Sequence, residues 1–276
     1  MPESTKTTWA RIMAPLSGGK ADAAVLQAAA ELARPFGAEV SGVYAPADVA
    51  DLMPWMGEGF MGGVQITAVE SLKEAASVGE RNARAALEAC PASRKSFITL
   101  DSPIWSALAA ESRLSDAVVF DNEAARGRGP LAEAFQQLVA NEQRPTVVAR
   151  SGLKADGVIA VAWDGGKEAT RATRTAMPLL EKASRVVVLG ATAASSRQFD
   201  PNRLKDFLAA RGVEADVEVI SEAGDAAALL LGAARRVGAS LLVSGAFGHA
   251  RLREFIFGGA TRSFLQAESP SLFLSH

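Results

Sequence analysis

The stretch Arg11-Ile-Met-Ala-Pro-Leu-Ser17-Gly18-Gly19-Lys20 lies over Val158-Ile-Ala-Val-Ala-Trp163-Asp164-Gly165-Gly166-Lys167 without a gap. In both copies a short apolar strand pattern runs into a Gly-Gly-Lys turn, and a helix pattern follows. Val25, Ala28, Ala29 and Leu32 share one face after the first copy; Ala169, Ala172, Ala176 and Leu179 do so after the second. Strand patterns recur at Glu39–Tyr44 and at 185–189, and Pro145-Thr-Val-Val-Ala and Pro270-Ser-Leu-Phe-Leu close the two copies alike. Repetition on this scale divides the chain before any site chemistry is considered. It gives a first domain over residues 1–152 and a second over 153–276, joined near the polar run Ser151-Gly-Leu-Lys-Ala-Asp156-Gly157.

Each copy continues in a βα rhythm. The first has a strand at 96–100, a helix from Ser102 or Pro103, and a strand at Ala117–Phe120. The second has a helix at 202–211, a strand at 214–220, a helix at 225–237 and a strand at 240–244. Nearly continuous apolar strands alternating with helices predict an α/β fold: two tandem doubly wound parallel sheets, covered on both faces. The last strands of the copies, near 146–149 and 271–274, are edges with unpaired N–H and C=O groups, and they are expected to pair within the chain as an internal pseudo-dimer. Further homodimerisation stays open. The first copy alone carries Asp51-Leu-Met-Pro-Trp55-Met-Gly-Glu-Gly-Phe60-Met-Gly-Gly63 and a long helix to about Glu88. This insertion is expected to pack on its own domain, the alternative being a lid or partner-binding loop.

Composition removes several function classes. A formal net charge of −2 gives no electrostatic reason to expect nucleic acid or an anionic membrane as partner. No apolar run approaches the length of a membrane span, and Met-Pro-Glu-Ser-Thr-Lys lacks the blocks of a signal peptide. The single cysteine, Cys90, excludes an intramolecular disulfide framework and suits a reducing compartment. A soluble, cytoplasmic protein is therefore expected. His249, His276 and Cys90 cannot supply a zinc set with ligand-like spacing. No Gly-x-Ser-x-Gly elbow is present, and Glu31/Arg34 and Glu80/Arg84 read as solvated ion pairs at helical spacing. Nothing marks a general base, so no catalytic residue is assigned.

The second copy holds a glycine pattern: Leu241-Leu-Val-Ser244, then Gly245-Ala-Phe-Gly248, nine residues, and Gly258-Gly259-Ala260-Thr261. Two glycines leave a strand end and two stand where a helix begins. Cβ-free backbone allows close approach, and a helix N-terminus offers N–H groups to an anion. The spacing differs from a P-loop and from the dinucleotide fingerprint.

These residues, with 158–164 and the ending Ser271-Leu-Phe-Leu-Ser275-His276, make the chain resemble the universal stress protein family in its tandem form. The resemblance implies a stress-response binding protein that holds ATP or AMP, with Mg²⁺, in its second domain. The positions it implies are Ala162, Trp163, Asp164, Leu189, Gly245, Gly248, Gly258, Gly259, Ala260 and Thr261. Asp164 follows the first strand of its domain and Gly245 the fourth, so both would face one crevice. Asp164 could accept a hydrogen bond from ribose or adenine, or serve as a helix cap. Gly259 stands where nucleotide-binding members usually carry Ser or Thr, a loss of about 0.5–1.5 kcal/mol for one hydrogen bond. His249, Arg251 and Arg253 either reach phosphates or lie on a solvated surface. In the first copy Ser17 takes the place of Asp164, and Asp121 and Glu123 would repel phosphate. That copy is expected to be structural, without a nucleotide site. The alternative to nucleotide binding is an interaction or scaffold protein of the same fold, and a hydrolytic enzyme is a third reading.

Overall fold

The computed structural model describes residues 8–46, 62–101, 103–191, 200–221, 224–246 and 259–276. The first half runs β1 (Arg11–Leu16), α1 (Asp22–Ala33), β2 (Glu39–Tyr44), α2 (Gly62–Ala89), β3 (Lys95–Thr99), α3 (Ile104–Arg113), β4 (Ala117–Phe120), α4 (Asn122–Ala125), α5 (Ala132–Ala140) and β5 (Thr146–Val148). The second runs β6 (Val158–Trp163), α6 (Lys167–Thr175), α7 (Met177–Leu180), β7 (Arg185–Ala191), α8 (Pro201–Ala209), β8 (Ala215–Ile220), α9 (Ala226–Arg236), β9 (Leu241–Gly245), α10 (Gly259–Gln266) and β10 (Ser271–Ser275).

The strands form one ten-stranded sheet in the order β3-β2-β1-β4-β5-β10-β9-β6-β7-β8. All pairs are parallel except β5 with β10, which run antiparallel with Leu272 opposite Val148, Phe273 opposite Val147 and Leu274 opposite Thr146. The expected pairing of last strands is thus present, and it joins the halves as an internal pseudo-dimer. Alternate residues of each strand feed opposite layers. Ile12, Ala14 and Leu16 of β1 pack with α1 and α2, while Met13 faces α3 to α5. In the second half Ile159 and Val161 face α6 to α8, while Ala160 and Ala162 face α9 and α10. Trp9 crosses the joint: it is buried, its ring 5.5 Å from Phe36 in the first half and 6.1 Å from Phe273 in the second.

The face Val25, Ala28, Ala29 and Leu32 is buried as its spacing predicts. Its counterpart is not one helix. α6 stops at Thr175 and α7 starts at Met177, because Pro178 has no N–H to continue the ladder and its ring crowds the preceding turn. All four of its apolar positions are still buried. The long insertion helix is present as α2; the Met/Trp-rich segment before it lies outside the described residues. Among the described residues, no helix is long and apolar enough to cross a membrane.

Candidate functional site

In each half the strand order reverses between the first and fourth strands, between β1 and β4 and again between β6 and β9. In doubly wound sheets ligand crevices form at such points, beyond the carboxyl ends of the strands. The two halves differ at this point for a reason visible in β1. The peptide groups of Arg11, Met13 and Pro15 face β4, as the bond from the Asp116 N–H to the Arg11 carbonyl fixes. Pro15 has no N–H, and β1 pairs with β4 only at Ile12↔Ala117 and Met13↔Val118. In the second half Ala162 stands at the place of Pro15, and β6 stays paired with β9 through Val161↔Val243. The first-half strands therefore part sooner.

A cleft of about 770 Å³ occupies that parting, bounded by the β1–α1 turn, the α2 face bearing Ser71, Ala75 and Val78, and the residues after β4. Its turn is built by contact between two backbones. Gly18, at φ +78°, lies so close to Gly79 of α2 that a Cβ would come within 2.3 Å of the Gly79 Cα. The Asn82 amide donates to the Gly18 carbonyl at 3.3 Å, and the Tyr44 hydroxyl donates to the Ala76 carbonyl at 3.0 Å.

A carboxylate closes the turn from within. Asp22, in the first turn of α1 and 2 % exposed, accepts from the Gly18 N–H at 2.7 Å and the Ser17 N–H at 3.1 Å. Burial pushes the Asp22 carboxyl above the ordinary aspartate range, against the hydrogen bonds from Ser17 and Gly18 that pull it down, and the charge of Asp121 adds to the rise. Asp121 caps α4, accepting from the Ala124 N–H at 2.7 Å. Beside it the Arg128 guanidinium makes two bonds to Glu123, at 2.6 and 2.7 Å, and holds that carboxyl below its usual range.

In the second half Asp164 is exposed at the end of β6, its Oδ1 accepting from the Gly166 N–H at 2.8 Å in the turn before α6. Gly166, at the N-cap of α6, receives no side-chain cap, so Asp164 folds the turn rather than capping the helix itself. Helix α6 lies against β9 and β10. Gly245 is the point of closest approach, where a Cβ would stand 2.7 Å from the Ala169 nitrogen and from the Glu168 carbonyl carbon.

No family model matches the sequence, and no curated relative matches it. Solved structures do. A universal stress protein from Archaeoglobus fulgidus DSM 4304 superposes with a TM-score of 0.63 at 15 % identity, over 96 % of this chain and 95 % of that one. The fold is that of the tandem universal stress proteins. A protein from Pseudomonas aeruginosa UCBPP-PA14 assigned to the same class matches at TM-score 0.56 and 14 % identity, over 97 % of this chain and 93 % of that one. The cytoplasmic domain of a prokaryotic cation chloride cotransporter also matches, at TM-score 0.50 and 12 % identity, over 97 % of this chain and 95 % of that one.

Placed in the universal stress fold, the expected site residues separate into groups. Asp164 follows β6 and Gly245 ends its neighbour β9, at the second switch point. Thr261 is buried in the first turn of α10, the helix that Gly259 and Ala260 begin. Gly248, Gly258 and the spacer with His249, Arg251 and Arg253 lie outside the described residues. Ala162 and Leu189 face the α9 and α10 layer, and Leu189 has 0 % exposure, so its side chain offers no surface to a ligand. Trp163 turns to the opposite layer, where its indole Nε1 is buried and finds no acceptor among the described residues. An adenosine fits this arrangement in part. Asp164 is an accessible acceptor, while the indole Nε1 is buried in the opposite layer and the approach to Gly245 is filled by the backbone of α6.

Gly245 thus has a packing reason to be glycine. Gly245→Ala is expected to lose about 2–3 kcal/mol of stability with no nucleotide present, since the groups it would meet are backbone that cannot swing aside. Urea unfolding measures this, and an unchanged midpoint would mean that α6 does not bear on β9.

Sequence reasoning missed the first-half cleft. The signals were Pro15 within a central strand and small residues at positions 71, 75 and 79 of α2. The loss of Asp at position 17 drew attention instead, while a carboxylate reaches the same turn from Asp22.

Proposed function

We propose that the protein acts in the cytoplasm as a non-catalytic binding protein of the stress response, and that its second half takes ATP or AMP, with Mg²⁺ accompanying the phosphates. The observation that carries this reading is that the adjacent strands β6 and β9, where the strand order reverses, lead into Asp164 and end at Gly245, with the glycine-led start of α10 following later in the chain. A carboxylate there accepts from a ribose hydroxyl or the adenine amino group, and the N–H groups that open α10 suit phosphate oxygens. The likeness to universal stress proteins supports the stress-response role; it is one of fold.

Titration calorimetry and thermal unfolding with ATP, AMP and Mg²⁺ test it. Saturable binding is expected, together with stabilisation of about 2.7 kcal/mol once ligand reaches roughly a hundred times its Kd. Asp164→Ala is expected to lower affinity about tenfold, the scale of one hydrogen bond to a charged group. No heat and no shift at millimolar nucleotide would reject the reading.

A second reading is favoured by one observation, the backbone of α6 filling the approach to Gly245. On it, the glycines serve packing and the chain is a nucleotide-free interaction protein. Asp164→Ala separates the two, since under this reading nucleotide changes neither the parent nor the variant.

A further inference from the structure

The first-half cleft has the volume of a small-molecule site, lies at a switch point, and belongs to the half that carries no glycine-spaced nucleotide pattern. Its chemistry selects against phosphate. At such a turn an anion is held by backbone N–H groups, and here the groups nearest the strand end and one at the start of α4 already serve carboxylates. The Gly18 and Ser17 N–H groups donate to Asp22, and the Ala124 N–H donates to Asp121. The protein has supplied its own anions to both places where a phosphate would be received. Glu74 on α2 adds a third carboxylate to the lining. Of the cations there, Arg128 is bound bidentately by Glu123, which leaves Lys20 against Asp22, Asp121 and Glu74.

One side of the wall is apolar. Pro15, Val78 and Leu131 line it, and Val78 is 41 % exposed, unusual among the large apolar side chains described. An apolar wall with excess negative charge at its strand end complements a molecule with the opposite layout.

We propose that the first-half cleft is a binding site for a small amphiphilic cation: an apolar or aromatic body carrying a protonated amine, directed at Asp121. The body lies along Val78 and Leu131, and the ammonium group donates hydrogen bonds to the carboxylate that faces it. Nucleotides are excluded by the carboxylates, so this site is independent of the one proposed for the second half.

The test uses the full chain and 2-phenylethylamine as probe, followed by protein-observed NMR, with phenylacetate as the anion of similar shape. The amine is expected to saturate, at least about tenfold more tightly than phenylacetate, with shifts in residues of the β1–α1 turn and α2, and ATP does not displace it. Asp121→Asn keeps the cap of α4, since Asn caps as well as Asp, and it is expected to weaken the amine at least about fivefold by removing the charge. Val78→Trp places an indole in the cleft from an exposed helix position and is expected to abolish binding. The proposal is overturned by no saturation at about 10 mM amine, by equal affinity for phenylacetate, or by displacement with ATP. It is also overturned if Asp121→Asn binds as the parent does or if a folded Val78→Trp protein still binds.

Discussion

Gly18→Ala is expected to be among the most damaging single changes in the first half, lowering stability by about 3–4 kcal/mol. Two costs add. At φ +78° an L-residue with a Cβ is strained by about 1–2 kcal/mol. The added carbon would also stand 2.3 Å from the Cα and 2.5 Å from the carbonyl oxygen of Gly79, so α2 must move away from the turn. Gly152→Ala isolates the first cost: it has φ +84° and nothing within 4 Å of the added Cβ. Chemical denaturation of the two proteins should place Gly18→Ala well below Gly152→Ala. Equal losses would show that α2 does not press on the turn. Because Gly18 and α2 together wall the cleft, the same change should alter what the cleft accepts.

Arg150→Met should be comparably costly, at about 3–4 kcal/mol, or roughly 6–15 °C in melting temperature. Arg150 follows β5 in the first half, yet its guanidinium serves the second. It is 9 % exposed and donates to the Pro270 carbonyl at 2.6 Å, the Phe264 carbonyl at 2.7 Å and Asn122 Oδ1 at 3.0 Å. Burial depresses its pKa to about 10, and the neighbouring charges of Arg126 and Arg235 add to the fall. Methionine fills similar space and offers no donors, so carbonyls at the C-terminal end of α10 would stay buried without their partner. Arg126, also of the first half, reaches the carbonyls of Gln266 and Ala267 nearby and should retain part of the cap. Arg126→Met is therefore expected to cost less, and the double variant more than either. A thermal midpoint for Arg150→Met within 2 °C of the parent would defeat this account.

Some features were readable because they are local. Pro145 and Pro270 mark the starts of the last strands, and their apolar runs pair as expected, Phe273 opposite Val147. The alternation in β1 sends Ile12 and Met13 to opposite layers through backbone geometry alone. The break between α6 and α7 was present in Pro178 but outweighed by the apolar spacing that runs across it. Leu189 shows the limit of motif reasoning. It stands one strand from Asp164, and its side chain is packed in the α9 and α10 layer with Ala162, without exposed surface.

The chain's order of residues alone determined the two-fold repeat, the parallel strands covered on both faces, and the joint between the last strands. Each follows from short-range periodicity and from what an edge strand must do with its peptide groups. How the first switch point opens into a cleft was decided only in three dimensions. It depends on Pro15 ending a ladder with a strand about a hundred residues away, on Gly79 meeting Gly18 across the insertion helix, and on Asp22 turning back to fill the anion position. An empty volume belongs to no single segment; it is what remains when distant backbones approach as closely as their side chains allow.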